Sequence, residues 1–361
     1  MLDLAAVNQV LSSVIDPNTG RDFVSSRAAR NIRIDGGARV SLDVELGYPA
    51  ASQVNLIRDL IATALKRAGA AEVQVGVSTK IVPHTVQRGL KVMPNVRNIV
   101  AISSGKGGVG KSTVAANLAL ALAAEGARVG MLDADIYGPS QPMMMGISGR
   151  PESLDGKTLE PLENYGVQVS SIGFMIDPDT PMVWRGPMVT NALQQLLTQT
   201  NWKDLDYLVV DMPPGTGDIQ LTLSQQVPVT GALIVTTPQD IALLDAMKGL
   251  KMFEKVGVPI LGIVENMAVH VCSRCGHAEH VFGEGGAARM SRQYDVEVLG
   301  SLPLDIRIRE QTDSGRPTVV AEPEGAIAVE YKAIARRTAI KISERAKDLS
   351  SKMPAIKVSP T

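Results

Sequence analysis

Apolar positions in the first 80 residues fall into short runs of two periods. Leu4, Val7, Val10, Leu11 and Val14 recur at helical spacing, and Asp16-Pro17-Asn18-Thr19-Gly20 ends that helix. Strands are predicted over 31–34 and 39–46, joined by a tight turn at Asp35-Gly36-Gly37. The second strand alternates Val40, Leu42, Val44 and Leu46 with Ser41, Asp43 and Glu45. An amphipathic helix over 52–68, capped by Ser52, and an alternating strand over 72–82 complete a small α/β domain, residues 1–82. Pro83, Gly89 and Pro94 interrupt every period in 83–97, which reads as an exposed linker. From Ile99 the pattern becomes strand–helix alternation. Strands are expected at 99–103, 128–133, 167–172, 206–211, 231–236, 260–265 and 297–301. Helices are expected at 111–125, 187–200, 218–226, 240–256, 285–294 and 323–349. Near-continuous apolar strands such as Tyr207-Leu208-Val209-Val210 belong in a parallel sheet covered on both faces. The fold class is α/β, with a doubly wound, mostly parallel sheet in a domain over 98–349. Residues 350–361 read as a loose tail.

Composition removes several function classes. A net charge of -1 and a pI of about 6.5 give no basic field for nucleic acid. Aromatic residues are only 3%, too few for platforms that stack single-stranded bases. The longest apolar stretch, Val114 to Ala124, contains Asn117 and is too short to span a bilayer. The N-terminus has no signal-peptide layout, so the expected location is cytoplasmic, with no membrane partner. The two cysteines both lie in Cys272-Ser273-Arg274-Cys275, which excludes a disulfide framework.

The strongest chemical signal is Gly105-Lys106-Gly107-Gly108-Val109-Gly110-Lys111-Ser112-Thr113, between an apolar strand and a helix. It satisfies the phosphate-loop pattern G-x-x-x-x-G-K-[ST] in the required strand–loop–helix context. Its glycines let backbone N–H groups close round a polyphosphate at a helix N-terminus. Lys111 would reach the β- and γ-phosphates of ATP, and the Ser112 hydroxyl would ligate Mg²⁺.

Carboxylates at two further strand ends complete the expected site. Asp211 ends an apolar strand where a Walker B aspartate would hold Mg²⁺, and the loop Pro213 to Asp218 would sense the γ-phosphate. Asp133 and Asp135 lie at another carboxyl strand end, where Asp133 would support Mg²⁺ and Asp135 would orient water. Helix capping and solvated charge are the plain alternatives for that pair. Lys106 cannot easily fold back onto a phosphate that Lys111 already serves. It would cross to the nucleotide of a second subunit, as an arginine finger does, or remain a surface lysine. The run from Gly105 to Thr113 resembles the deviant Walker A of the ATPases that include septum-site, chromosome-partitioning, nitrogenase-iron-protein and cluster-carrier members. The resemblance covers about 98–310 and implies a P-loop NTPase sheet, a homodimer, Lys106 acting across it, and Asp135 positioning water.

The cysteine pair narrows the choice. A Cys-x-x-Cys in a cytoplasmic protein points to metal or redox chemistry, and two thiolates are half of a four-ligand set. His277 and His280 would complete the set within one chain, or a second subunit would supply two more thiolates. One residue separates Cys275 from His277, against a gap of about 12–15 in zinc fingers, so spacing favours the second option. Four thiolates on a two-fold axis suit a labile [4Fe–4S] cluster. The run from Asn266 through Cys272 and Cys275 to Phe282-Gly283-Glu284-Gly285-Gly286-Ala287, with Leu302-Pro303 and Arg307-Ile308-Arg309-Glu310, resembles the Mrp/ApbC iron–sulfur cluster carriers. That resemblance places Asn266 and Pro303 near adenine. It implies transfer of the cluster to apo-proteins, with iron–sulfur assembly factors as partners. The first 80 residues resemble the small Fe–S-assembly domain fused ahead of such ATPases, without that family's cysteine after the hairpin. The rival expectation is a positioning or partitioning ATPase whose Cys-x-x-Cys is a structural zinc or redox site.

Overall fold

The computed structural model describes residues 2–36, 38–87, 89–176 and 186–347. The expected tail at 350–361 and Gly37 of the predicted turn lie outside them. At the N-terminus, helix α1 (Leu4–Ser13) starts at Asp3, whose carboxylate accepts from the Ala6 amide at 2.8 Å. Strands β1 (Ala29–Asp35), β2 (Arg39–Leu46) and β3 (Glu72–Thr79) form one sheet in that order, β1–β2 antiparallel and β2–β3 parallel. The expected alternation of β2 buries Val40, Leu42, Val44 and Leu46. They pack with Ile57, Ile61 and Leu65 of helix α2 (Val54–Arg67) in one core.

Ser52 does not cap α2. Its hydroxyl donates to Glu125 Oε1 at 2.6 Å, because a buried carboxylate outcompetes an exposed helix end. Residues of the expected linker are also less exposed than their Pro and Gly content implies. His84 and Gln87 are buried, and the Gln87 amide donates to the carbonyls of Ser224 and Val227.

The second sheet has eight strands. In chain order they are β4 (Val96–Ser103), β5 (Val129–Asp133), β6 (Leu162–Asn164), β7 (Val167–Ser171), β8 (Leu205–Asp211), β9 (Gly231–Thr236), β10 (Ile260–Glu265) and, after a small hairpin of β11 (His270–Val271) and β12 (Ala278–Glu279), β13 (Val298–Ser301). The spatial order is β13-β10-β9-β4-β8-β5-β7-β6, parallel except for the edge strand β6. All seven strands expected from Ile99 onward are present. The missed β6 and the β11–β12 hairpin are too short to show a period.

Two apolar layers sandwich this sheet. Val100 and Ile102 of β4, Tyr207 and Val209 of β8, and Leu233 and Val235 of β9 face one side. Ile99, Ala101, Leu208, Val210, Ala232 and Ile234 face the other. The helices, in chain order, are α3 (Lys111–Ala124), the short α4 (Gln141–Met144), α5 (Gly186–Gln199), α6 (Asp218–Gln226), α7 (Asp240–Lys255), α8 (Gly286–Tyr294), α9 (Ile306–Asp313), α10 (Thr318–Ala321) and α11 (Ala326–Ser343). Helix α3 is apolar nearly all round because it is covered by both the sheet and α11. The helix expected at 323–349 is α11, shorter at both ends, and the short α10 ahead of it was not expected. Helix α9 carries mostly polar residues, so no apolar stripe announced it. No helix among the described residues is long and apolar enough to cross a membrane.

One polar contact joins the two sheets' territories. Glu125 follows the last residue of α3, and its side chain is fully buried. It accepts from Arg336 of α11 at 2.5 Å and from the Ser52 amide at 3.0 Å, while Arg336 Nε also donates to Asn18 at 3.1 Å. A carboxylate at a helix C-terminus opposes the dipole, so the guanidinium is what makes Glu125 tolerable there. Removing one partner strands a buried charge. Arg336→Ala should therefore cost about 3–5 kcal/mol in urea unfolding. A loss under about 1 kcal/mol, the size of a surface pair, would show that the pair does not hold the junction.

Candidate functional site

The phosphate loop leaves β4 between its neighbours β8 and β9, where the connections diverge to opposite sides of the sheet. Gly110 takes φ +81°, and a side chain there would lie 2.2 Å from the Asn266 amide nitrogen. At Gly105 a Cβ would come within 2.0 Å of the Asp245 backbone on α7. The loop is thus gripped from two sides. Asn266 Nδ2 donates to the Val109 carbonyl at 2.9 Å, and Ser104 Oγ donates to the Lys106 carbonyl at 2.9 Å. No side chain at Gly107 or Gly108 would meet another atom within 4 Å, so that rim is open to a ligand.

Beneath the loop the charges are unbalanced. Asp133 and Asp211 are register partners on β5 and β8, both fully buried. Lys111 Nζ lies 2.5 Å from Asp211 Oδ1, 3.1 Å from Ser112 Oγ and 3.9 Å from Asp135 Oδ2. Lys111 thus pairs with Asp211 and lies near Asp135, while Asp133 neighbours Asp211 across the strands. Burial, then the nearby Asp211 charge, pushes Asp133 up to about 7, although the amides of Gln141 and Asp135 and the Ser171 hydroxyl donate to it. Burial also raises Asp135, with Lys111 opposing. A divalent cation would offset this excess of buried negative charge.

Lys106 is half-buried and reaches Gln239 Oε1 at 3.5 Å within its own chain. In the loop after β8, the Gly215 amide donates to the Ser104 carbonyl at 3.1 Å, tying the expected γ-phosphate sensor to the base of the phosphate loop. Pro303 lies in the connection from β13 to α9, whose Leu302 carbonyl accepts from the Ala268 amide at 2.9 Å. Gln141 was not anticipated. It is fully buried, and its amide donates to Asp211 Oδ2 at 2.9 Å and to the Ser112 carbonyl at 3.1 Å. Its only sequence cue is one long polar side chain beside Pro142-Met143-Met144-Met145.

Cys272 and Cys275 form the turn of the β11–β12 hairpin. The Cys272 amide donates to the His277 carbonyl and the Gly276 amide to the Cys272 carbonyl, both at 2.9 Å, with Gly276 at φ +71°. Backbone amides of Arg274 and Cys275 hold the Cys272 thiol below the usual range, which favours thiolate. His277 is exposed, and His280 Nδ1 donates to the Ala268 carbonyl at 2.9 Å. Among the described residues, no group of three or more His, Cys, Asp or Glu side chains is arranged to hold a metal.

A parallel P-loop sheet with this loop and these strand-end aspartates defines a P-loop NTPase. Residues 95–339 match the NUBPL iron-transfer P-loop NTPases, and residues 4–78 match the iron–sulfur cluster assembly protein family. The chain belongs to the iron-transfer P-loop NTPase family, with an iron–sulfur-assembly domain ahead of it. An iron–sulfur cluster carrier protein of Pseudomonas fragi is 63% identical over 269 residues, covering 74% of this chain and 94% of that one. One from Haemophilus influenzae is 48% identical over 338 residues, 93% of this chain and 91% of the relative. The iron–sulfur cluster transfer protein NUBPL of mouse is 52% identical over 69% of this chain and 80% of its own. Among solved structures, a nucleotide-binding protein from Archaeoglobus fulgidus in complex with ADP superposes with TM-score 0.56 at 39% identity, covering 64% of this chain and 90% of that one.

The buried aspartate gives a pH signature. Asp133 binds its proton more tightly when folded than when unfolded, so its contribution to stability is full at acid pH. That contribution is lost as pH rises from about 4 to about 7 and is flat above. In nucleotide- and metal-free protein, the melting temperature of Asp133→Asn should gain on wild type across that window and keep a constant lead above it. Parallel curves throughout would contradict a raised Asp133.

Proposed function

We propose that the chain is an ATP-hydrolysing iron–sulfur cluster carrier that holds a [4Fe–4S] cluster between two copies of itself and passes it to apo-proteins. The observation that supports it best is the thiol pair: Cys272 and Cys275 are half-exposed and exposed, Cys272 is disposed towards thiolate, and among the described residues no third ligand joins them. A second copy supplies the missing two. The names of the relatives point to the same cargo. The chain would work in the cytoplasm, where such thiols stay reduced, with apo-proteins and assembly factors as its partners.

The nucleotide half of the proposal assigns each side chain a task. Lys111 leaves Asp211 for the β- and γ-phosphates, and the amides of 107–113 close on the same oxygens. Mg²⁺, held by Ser112, Asp211 and Asp133, would neutralise phosphate charge. Asp135, half-buried and beside Lys111, orients the attacking water. Lys106 exchanges its weak contact with Gln239 for the nucleotide of the partner copy, so turnover and dimer closure become one event. Asn266 and Pro303 would border the adenine.

Two experiments test this reading. Anaerobic reconstitution should load about four irons per two chains, and Cys272→Ser/Cys275→Ser should hold less than about a tenth of that. Full loading and delivery by the double variant would remove the cysteines from the mechanism. Lys106→Gln should keep ATP affinity within about twofold while turnover falls about a hundredfold or more. Unchanged turnover would leave Lys106 a surface residue.

A further inference from the structure

A cavity bordering the first domain lies away from both the phosphate loop and the thiols. It has a volume of 550 Å³, within the range of small-molecule sites, and opens between the β1–β2 side of the first sheet, residues 82–84, and the end of α11. Five cationic side chains line it, Arg21, Arg27, Arg30, Lys80 and Lys347, against three carboxyls.

Those carboxyls are largely committed. Asp16 accepts from the Tyr48 hydroxyl at 2.6 Å, from Thr19 Oγ1 at 3.0 Å and from the Asn18 amide at 2.9 Å. Glu45 is shared by Arg30 at 3.1 Å and Lys80 at 3.9 Å. Glu344 is the remaining anion. Among the described residues, Arg21, Arg27 and Lys347 form no salt bridge with any carboxylate. The cavity therefore carries uncompensated positive charge from two segments, the loop before β1 and the residues after α11.

Two further features are independent of that count. Arg27 holds φ +57°, a conformation that non-glycine residues seldom adopt, in the loop that presents it to the cavity. His84 also lines the cavity and is 1% exposed. Its Nδ1 lies 3.0 Å from Asn98 Oδ1, and the Asn98 amide nitrogen already donates to the carbonyls of Val82 and Asp206. Nδ1 is therefore the protonated nitrogen, and Nε2 is a buried acceptor with no partner. That nitrogen has neither a partner nor accessible surface of its own, and it belongs to a residue in the wall of a cation-lined cavity.

The geometry points to a binding site for a small organic polyanion, a tricarboxylate or a sugar bisphosphate in size, clasped by Arg21, Arg27 and Lys347 with His84 at its floor. Such a ligand bridges the assembly-type domain and α11, and it competes with neither ATP nor the cluster.

The test uses the full chain with saturating Mg–ADP, so that the phosphate loop is filled. Calorimetric titration with tricarballylate and, separately, fructose 1,6-bisphosphate at low salt should show one site per chain for at least one of them, with Kd below about 1 mM. The probe that binds tells carboxylate from phosphate recognition. Arg27→Ala/Lys347→Ala should weaken it by about tenfold or more with Mg–ADP affinity unchanged. On wild type, the probe should also move the His84 ring nitrogen resonances more than those of His270, His277 and His280, a readout that needs no variant. Absence of saturable binding by both probes, binding undiminished in the double variant, or a His84 signal that stays still while a probe binds would each overturn the site.

Discussion

Two carboxyls gathered round one lysine–aspartate pair govern the nucleotide face. Asp133 and Asp211 end adjacent parallel strands, so the sheet register itself drives two buried acids together. In water such a pair would repel weakly, but in a dry crevice the same pair is costly. The protein offsets it with Lys111, with the Gln141 amide, and with a proton on Asp133 up to about pH 7. Each device is one that a nucleotide and a cation can displace.

The chain path connects this site to the thiols. Strand β10 ends at Glu265, whose carboxylate accepts from the Ala287 amide at the start of α8. The next residue, Asn266, grips the Val109 carbonyl of the phosphate loop, and within a few residues the chain enters the β11–β12 hairpin with Cys272 and Cys275. The other strand-end connection is locked to it through Leu302 and Leu304. One short segment, from Asn266 to Cys272, thus links the phosphate loop to the cysteine turn. At the far end of α3, the Glu125–Arg336–Ser52 contact ties the same helix to the assembly-type domain.

Much of this was legible from the residues alone. Tyr207 to Val210 and the alternation of β2 carried their burial in plain apolar periods, and the phosphate loop carried its strand and helix with it. What could not be read depended on partners distant in sequence. Ser52 fits the rule for a helix cap, yet Glu125 takes its hydroxyl. Gln141 looks like a stray polar residue until Asp211, contributed by β8, lies beside it. His84 and Gln87 sit among residues that break every period, yet tertiary contacts bury both. Helix α9 is held by contacts with α4 and α10 rather than by an apolar stripe.

The cluster shared between two copies is the central claim, and native mass spectrometry of anaerobically reconstituted protein tests it most directly. The account predicts a species of two chains carrying one four-iron, four-sulfide cluster, which collapses to bare single chains when the cluster is removed by a chelator. A single chain carrying its own zinc or iron through Cys272, Cys275 and a histidine, with no cluster-dependent dimer, would contradict it.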